Sequence, residues 1–334
     1  MRSSVFALVS LAIALVVFLI LRAIGNEYYF VAGYTVVQYI ILATAWNILG
    51  GYTGYVNFGS AAFFAVGAYS SVAVITFANE IDALVPESLA PFFHAIFPLP
   101  IPSLIVIGGL MSGLVGYGMG YLTMRLRGAF FAIATLALSV VLMTLVVNWD
   151  FVGGSSGAYV LRPDSVPIIG NYVHYLFALM LAMAVGALTI ARTIERSRLG
   201  YGFAAIRDDE LAAEASGVPT LKLKLIATAV SGGLMGMAGA PFPYFIGFLQ
   251  PQSAFGLEYA VNSIAMPMIG GTMSWAGPLI GAVLLGTLQQ VANVTISSHF
   301  NLLLVGLLLI GFVIVAPNGI VGLWRDWMRA RKKS

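Results

Sequence analysis

Residues able to do acid–base, nucleophilic or metal chemistry are few in this sequence and widely separated. Its 334 residues include 3 histidines, 13 Asp and Glu, 16 Lys and Arg, and no cysteine. Without cysteine there is no thiol nucleophile, disulfide or Fe–S ligand. His94, His174 and His299 are far apart and fall in predicted loops or at helix ends, so they read as loop or headgroup-level histidines rather than a metal set. There are no paired carboxylates and no nucleophile–base constellation of the kind an enzyme needs. No Lys follows a Gly, which excludes a phosphate-binding GxxxxGK[ST] loop. The expectation is a chain with no metal and no cofactor of its own, and not an enzyme.

The longest charged stretch is residues 192–224. Asp208, Asp209 and Glu210 stand where a short helix would begin, favourable at its positive end. Gly217 and Pro219 supply a stop. Between them Leu211, Ala212, Ala215 and Val218 are expected to trace one apolar face. A charged loop with a small amphipathic helix suits docking of another protein; a solvated connector that only keeps orientation is the other reading. If transport is ATP-driven, the ATPase must be a separate polypeptide, and this loop is where it would dock.

Polar residues inside the apolar runs are sparse: Thr35, Gln38, Asn47, Asn57, Ser60, Thr135, Ser139, Thr144, Asn262 and Gln289. Of these, Asn47, Asn57, Ser60, Thr135, Ser139 and Asn262 are the candidate pathway positions. Glu258, near a predicted interface, is the one ionisable group that could lie within the membrane, where such groups mark ion or substrate routes. Two stretches look like interrupted helices. One is Gly50 to Gly59, with Gly50 and Gly54 as candidate hinges; the other is Met268 to Pro278, with Pro267, Gly270 and Gly271. Matching breaks in two halves of a transporter point to a binding site at the midplane; tight turns between neighbouring helices are the alternative.

These residues must be positioned by membrane helices. Hydrophobic residues make up 60% of the chain, charged residues 9%, and mean hydropathy is +0.95, whereas a soluble domain carries roughly 25% charged residues. Lipid is therefore the solvent for most of the surface. About 20 apolar residues cross the hydrocarbon core, and the uncharged runs divide into about ten segments, some short or broken. Residues 3–21 end without a cleavage pattern and read as a retained first helix. No Lys or Arg occurs between Arg22 and Arg125, while Arg125 and Arg127, residues 192–224 and the basic tail 325–334 hold most of the positive charge. By the positive-inside rule, both termini are expected in the cytoplasm. The net charge of +3 carries no basic stripe interleaved with aromatics, so nucleic acid is not an expected partner. Glycines spaced by four, as at 109/113, 116/120, 232/236 and 277/281, suit close helix packing or a moving interface.

Five blocks carry a family resemblance in order: GGYTGYVNFGSAAFFAVGAY (50–69, after Trp46-Asn47), LRGAFFAIATLALS (126–139), GGSSG (153–157), SRLGYGFAAIRDDELAAEASGV (197–218) and IGGTMSWAGPLIGA (269–282). The ending at 302–323 is also similar. The chain resembles the LivM-type permease subunits of branched-chain amino acid ABC importers over about residues 30 to 323. The resemblance implies an all-α polytopic transmembrane domain spanning 1–334, multi-pass in a bacterial inner membrane, with a cytoplasmic coupling loop at about 193–224. It implies a second, LivH-type permease, two ATPase subunits that bind the ATP and magnesium, and a periplasmic substrate-binding protein. It makes 207–217 the coupling helix, with Arg207, Asp208, Asp209, Glu210, Ala213, Glu214 and Gly217 as coupling positions. Val140, Met143 and Asn262 stand where many members carry charge, and Gly54 to Ser60 lacks a histidine common there. That leaves the cargo open between a branched-chain amino acid and urea, a short amide or an aromatic acid. A self-sufficient channel remains the other class of reading.

Overall fold

A computed structural model describes residues 3–123, 126, 128–162, 170–295, 301–315 and 319–331. Arg125, Arg127, His299, Lys332 and Lys333 lie outside the described residues. The chain is helical almost throughout. Helices α1 (Ser3–Ile24), α2 (Glu27–Thr53) and α3 (Ser60–Asn79) precede two short ones, α4 (Ile81–Leu84) and α5 (Ala90–Ile96). Then come α6 (Ile101–Thr123), α7 (Ala129–Val147), α8 (Tyr172–Glu195), α9 (Arg198–Asp208), α10 (Glu210–Ala215) and α11 (Thr220–Gly239). The last third holds α12 (Phe242–Ile246), α13 (Pro251–Ala254), α14 (Leu257–Gly270), α15 (Ala276–Thr295), α16 (Asn301–Val315) and α17 (Gly319–Arg331). A two-residue strand β1 (Ala158–Tyr159) pairs antiparallel with β2 (Phe248–Leu249).

Among the described residues, 8 helical stretches are long and apolar enough to span a membrane: α1, α2, α3, α6, α7, α8, α11 continued through α12, and α15. The remaining two segments expected from the sequence, α14 and α16, are helical but shorter, at 14 and 15 described residues. The chain is an all-α polytopic membrane protein.

Helix α2 starts on Asn26, whose side chain accepts from Tyr28 N, and stops at Gly54, where φ is +76°. Gly50 is therefore not a break, and neither is Gly51: both lie inside α2. A mid-helix glycine costs about 1 kcal/mol relative to alanine, and here close packing uses the space. A Cβ on Gly50 would strike the Trp46 ring, and one on Gly51 would meet Thr272 O at 2.7 Å. Pro267 is likewise not a break. It is buried inside α14, and the helix runs on to Gly270. Proline lacks the N–H that would bond the Ser263 carbonyl, and just before it α15 packs its Gly281 closely on the Met266 carbonyl. The chain turns instead at Gly271, with φ +115°.

The glycines spaced by four line close crossings. An ideal Cβ on Gly67 of α3 would lie 2.5 Å from Gly236 Cα of α11, and one on Gly236 would lie 2.6 Å from Gly108 O of α6. At the same crossing Ser112 Oγ lies 2.8 Å from both Phe63 O and Gly232 O, the kind of polar contact that joins membrane helices. A second seam joins α14 and α15, where a Cβ on Gly270 would lie 2.6 Å from Gly277 C.

Several distant segments meet at one end of the bundle. Ser3 Oγ accepts from Thr193 Oγ1 at 3.2 Å, Gly54 abuts Arg207, and Gly319 abuts Gly271. At the other end Asn171 Nδ2, which begins α8, donates to Glu27 Oε1 of α2 at 2.7 Å.

Candidate functional site: a docking hairpin tied to the central helices

Helices α9 and α10 form the hairpin in the charged stretch. Ser197 caps α9 by accepting from Leu199 N and Gly200 N. Asp209 caps α10 by accepting from Ala212 N at 3.0 Å. Such a cap contributes about 1 kcal/mol. Gly217, at φ +84°, ends α10 with Val218 N donating to Ala213 O at 3.0 Å, a Schellman closure.

Two sequence expectations need correction here. Arg207 and Asp208 end α9 instead of opening the coupling helix, because Asp209 adopts an extended backbone and caps α10. The coupling position Ala213 does not face outward either. Leu211 is 61% exposed, while Ala213 is the buried member. Its small side chain turns toward the protein and leaves Leu211, Asp208 and Glu214 outward.

Glu210 is not an outward charge. Its Oε1 accepts from Lys224 Nζ at 2.7 Å, with side-chain exposures of 13% and 3%. The Tyr55 hydroxyl donates to Glu210 Oε2, and Lys224 Nζ donates to the same hydroxyl at 3.3 Å. Glu214 Oε1 accepts from Thr220 Oγ1 at 2.8 Å, which ties α10 again to the start of α11. Arg207 pairs with neighbouring Asp208 at 3.2 Å.

Tyr55 belongs to the turn 54–59 between α2 and α3, and there three candidate pathway residues meet. Asn57 is fully buried; its Oδ1 accepts from Gly59 N at 2.7 Å, and its carbonyl accepts from Trp46 Nε1 at 2.8 Å. Phe58 N donates to Thr135 Oγ1 at 3.1 Å, and Ser60 Oγ reaches Asn57 O at 3.4 Å. Ser139 is one turn along the same face of α7. Replacing Asn57 by alanine is expected to destabilise the fold by about 1–3 kcal/mol, the cost of stranding the buried Gly59 amide. Denaturant unfolding in detergent micelles measures it.

With this geometry in place, comparison with known proteins is decisive. A family profile described as "Branched-chain amino acid transport system / permease component" matches residues 28–313. The chain belongs to this permease family. It is 25% identical over 318 residues to the high-affinity branched-chain amino acid transport system permease protein LivM of Escherichia coli strain K12, covering 88% of this chain and 70% of that one. It is 23% identical over 249 residues to the probable branched-chain amino acid transport permease protein LivH of Methanocaldococcus jannaschii, covering 70% and 76%. It is 25% identical over 221 residues to the autoinducer 2 import system permease protein LsrC of Yersinia enterocolitica, covering 63% and 60%. No solved structure matches.

The other pathway candidates of the permease lie elsewhere. Asn47 is buried one turn before Gly51, and its Nδ2 reaches Ser274 O at 3.5 Å. Asn262 pairs with Gln289 Nε2 across the α14–α15 seam at 2.8 Å. The six therefore form three separate groups rather than one pocket. Glu258 sits in the first turn of α14, within electrostatic reach of Tyr39 near the middle of α2. An acidic group within a membrane segment faces water or protein rather than lipid.

Sequence reasoning missed a cluster at the α8 terminus. Glu195 Oε2 accepts from Trp275 N at 2.7 Å and from the Tyr52 hydroxyl at 3.4 Å. Buried Arg192 lies 4.1 Å above the Phe6 ring, which makes an edge contact with Trp275. The signal that could have raised it is an arginine and a glutamate one helical turn apart at the end of an apolar span.

Proposed function

We propose that this permease is one of two membrane halves of an ATP-driven importer in a bacterial inner membrane. A second, LivH-type permease supplies the other half, and two ATPase subunits bind the ATP and magnesium. One ATPase docks on α9 and α10 at the charged end. A periplasmic binding protein delivers the solute at the opposite end. The positive-inside rule supports this orientation, since Arg192, Arg196, Arg198, Arg207, Lys222 and Lys224 all lie at the hairpin end.

The observation that carries the reading is the character of α10. It is capped at both ends, stands outside the spans with Leu211 exposed, and is bonded to α11 and the α2–α3 turn. A free connector has no need of these ties. The cargo supported best is a branched-chain amino acid, in keeping with the family. A small neutral amide or urea is the second reading, favoured by the uncharged Asn262–Gln289 pair.

Leu211→Asp is expected to lower leucine uptake by reconstituted complex at least tenfold, since burying a leucine at an interface is worth about 1.5–3 kcal/mol. Charge reversal at Asp208 or Glu214 is expected to separate ATP hydrolysis from uptake. Normal uptake and normal co-purification of the ATPases with Leu211→Asp would refute the docking surface. Leucine flux through the purified chain alone in liposomes would instead make it a facilitator.

A further inference from the structure

We infer that Lys224 and Tyr55 are positioning residues that transmit movement of the docked helix α10 to the central spans, an inference resting on the docking reading above. Three elements meet at one nearly dry ion pair. Glu210 opens α10, Lys224 lies in the first turns of α11, and Tyr55 sits in the turn joining α2 to α3. Lys224 bonds Glu210 at 2.7 Å and the Tyr55 hydroxyl at 3.3 Å, and its ammonium lies 4.8 Å from the centre of the Tyr55 ring. Tyr55 in turn meets the fully buried Phe131 of α7 edge-on at 5.0 Å.

A buried ion pair contributes little net stability, yet removing one partner leaves an uncompensated charge. Glu210 therefore cannot leave its site without moving Lys224 or Tyr55. Lys224 is rooted in α11 and Tyr55 beside α2, two of the most buried spans. An open pocket of about 200 Å³ lined by Thr53, Tyr55, Ile206, Arg207 and Glu210 lies beside Glu210 and Tyr55. The remaining contacts of the turn, Phe58 N to Thr135 and Trp46 to the Asn57 carbonyl, carry displacement into α7 and α2.

The test uses the full complex with its ATPase subunits in nanodiscs. The chain has no cysteine, so Val56→Cys supplies a single maleimide site on the turn, at a residue 39% exposed. In otherwise wild-type permease, ATP with vanadate is expected to change the labelling rate at Val56→Cys at least threefold. Lys224→Met and Tyr55→Phe are expected to retain co-purification of the ATPases within twofold while the nucleotide-dependent change disappears. Lys224→Arg restores it. An unaltered labelling change in Lys224→Met overturns the inference, as does loss of ATPase binding in that variant, which would assign the pair to building the docking surface. Failure of the docking reading is separate: there the Leu211→Asp variant binds the ATPases as wild type does.

Discussion

Replacing Gly236 by alanine is expected to cost about 3 kcal/mol of folding free energy, the upper part of the range for overpacking. The new methyl would lie 2.6 Å from the Gly108 carbonyl and would strike Ser112. Neither obstacle is a flexible side-chain end. The carbonyl is backbone, and Ser112 is held in place between Phe63 O and Gly232 O. The helices must separate, and Gly67 on α3 faces the same point from the other side. Gly118 is the control. It lies on α6 with nothing within 4 Å of its Cβ position, so Gly118→Ala is expected to be neutral or to stabilise by up to about 1 kcal/mol through helix propensity. Unfolding by SDS in mixed micelles reads both variants. Equal losses at the two positions would show that close approach is not what Gly236 provides.

Glu195→Ala is expected to cost about 2–3 kcal/mol, in line with the loss of a charge-assisted hydrogen bond and the stranding of its donor. The carboxylate accepts from Trp275 N, 80 positions away, and from the Tyr52 hydroxyl. It thereby fastens the α14–α15 connector to the ends of α2 and α8. Glu195→Gln keeps an acceptor oxygen and is expected to recover all but about 1 kcal/mol, the order of a neutral hydrogen bond's contribution. The same micelle titration applies, with the Trp275 fluorescence as a local probe. A Gln variant as unstable as the Ala variant would mean that charge, not the acceptor, holds this junction.

Most of the scaffold was legible in the sequence because long apolar runs have one stable form in lipid, a helix that satisfies its own backbone. The hairpin was legible for a local reason: Asp209, Gly217 and Pro219 are cap and stop residues whose signals act within a few positions. Gly50 and Pro267 were misread because a glycine or proline looks the same in a turn as inside a closely packed helix. What decides is the Trp46 ring over Gly50, Thr272 against neighbouring Gly51 and Gly281 against Met266, and none of these contacts shows in the local residue pattern. Glu210 was read with Asp208 and Asp209 as a coupling charge for the same reason. Its partners are Lys224 and Tyr55, and Tyr55 lies 155 positions away. The candidate pathway residues were found as polar and buried, but their division among the α2–α3 turn, the contact of Asn47 with the α14–α15 connector and the α14–α15 seam depends on tertiary packing that no local pattern encodes.

The α14–α15 seam has a mechanical consequence. Backbone meets backbone there at Gly270, Gly277 and Gly281, with no side chain in between. Side chains that can change rotamer act as springs between helices; bare backbone offers none, and packed interiors compress little. The two helices should then travel as one stiff plate, with sliding confined to its borders with α2 and α16. Spin labels placed across the plate would keep their separation throughout a transport cycle, while labels spanning its edge would not.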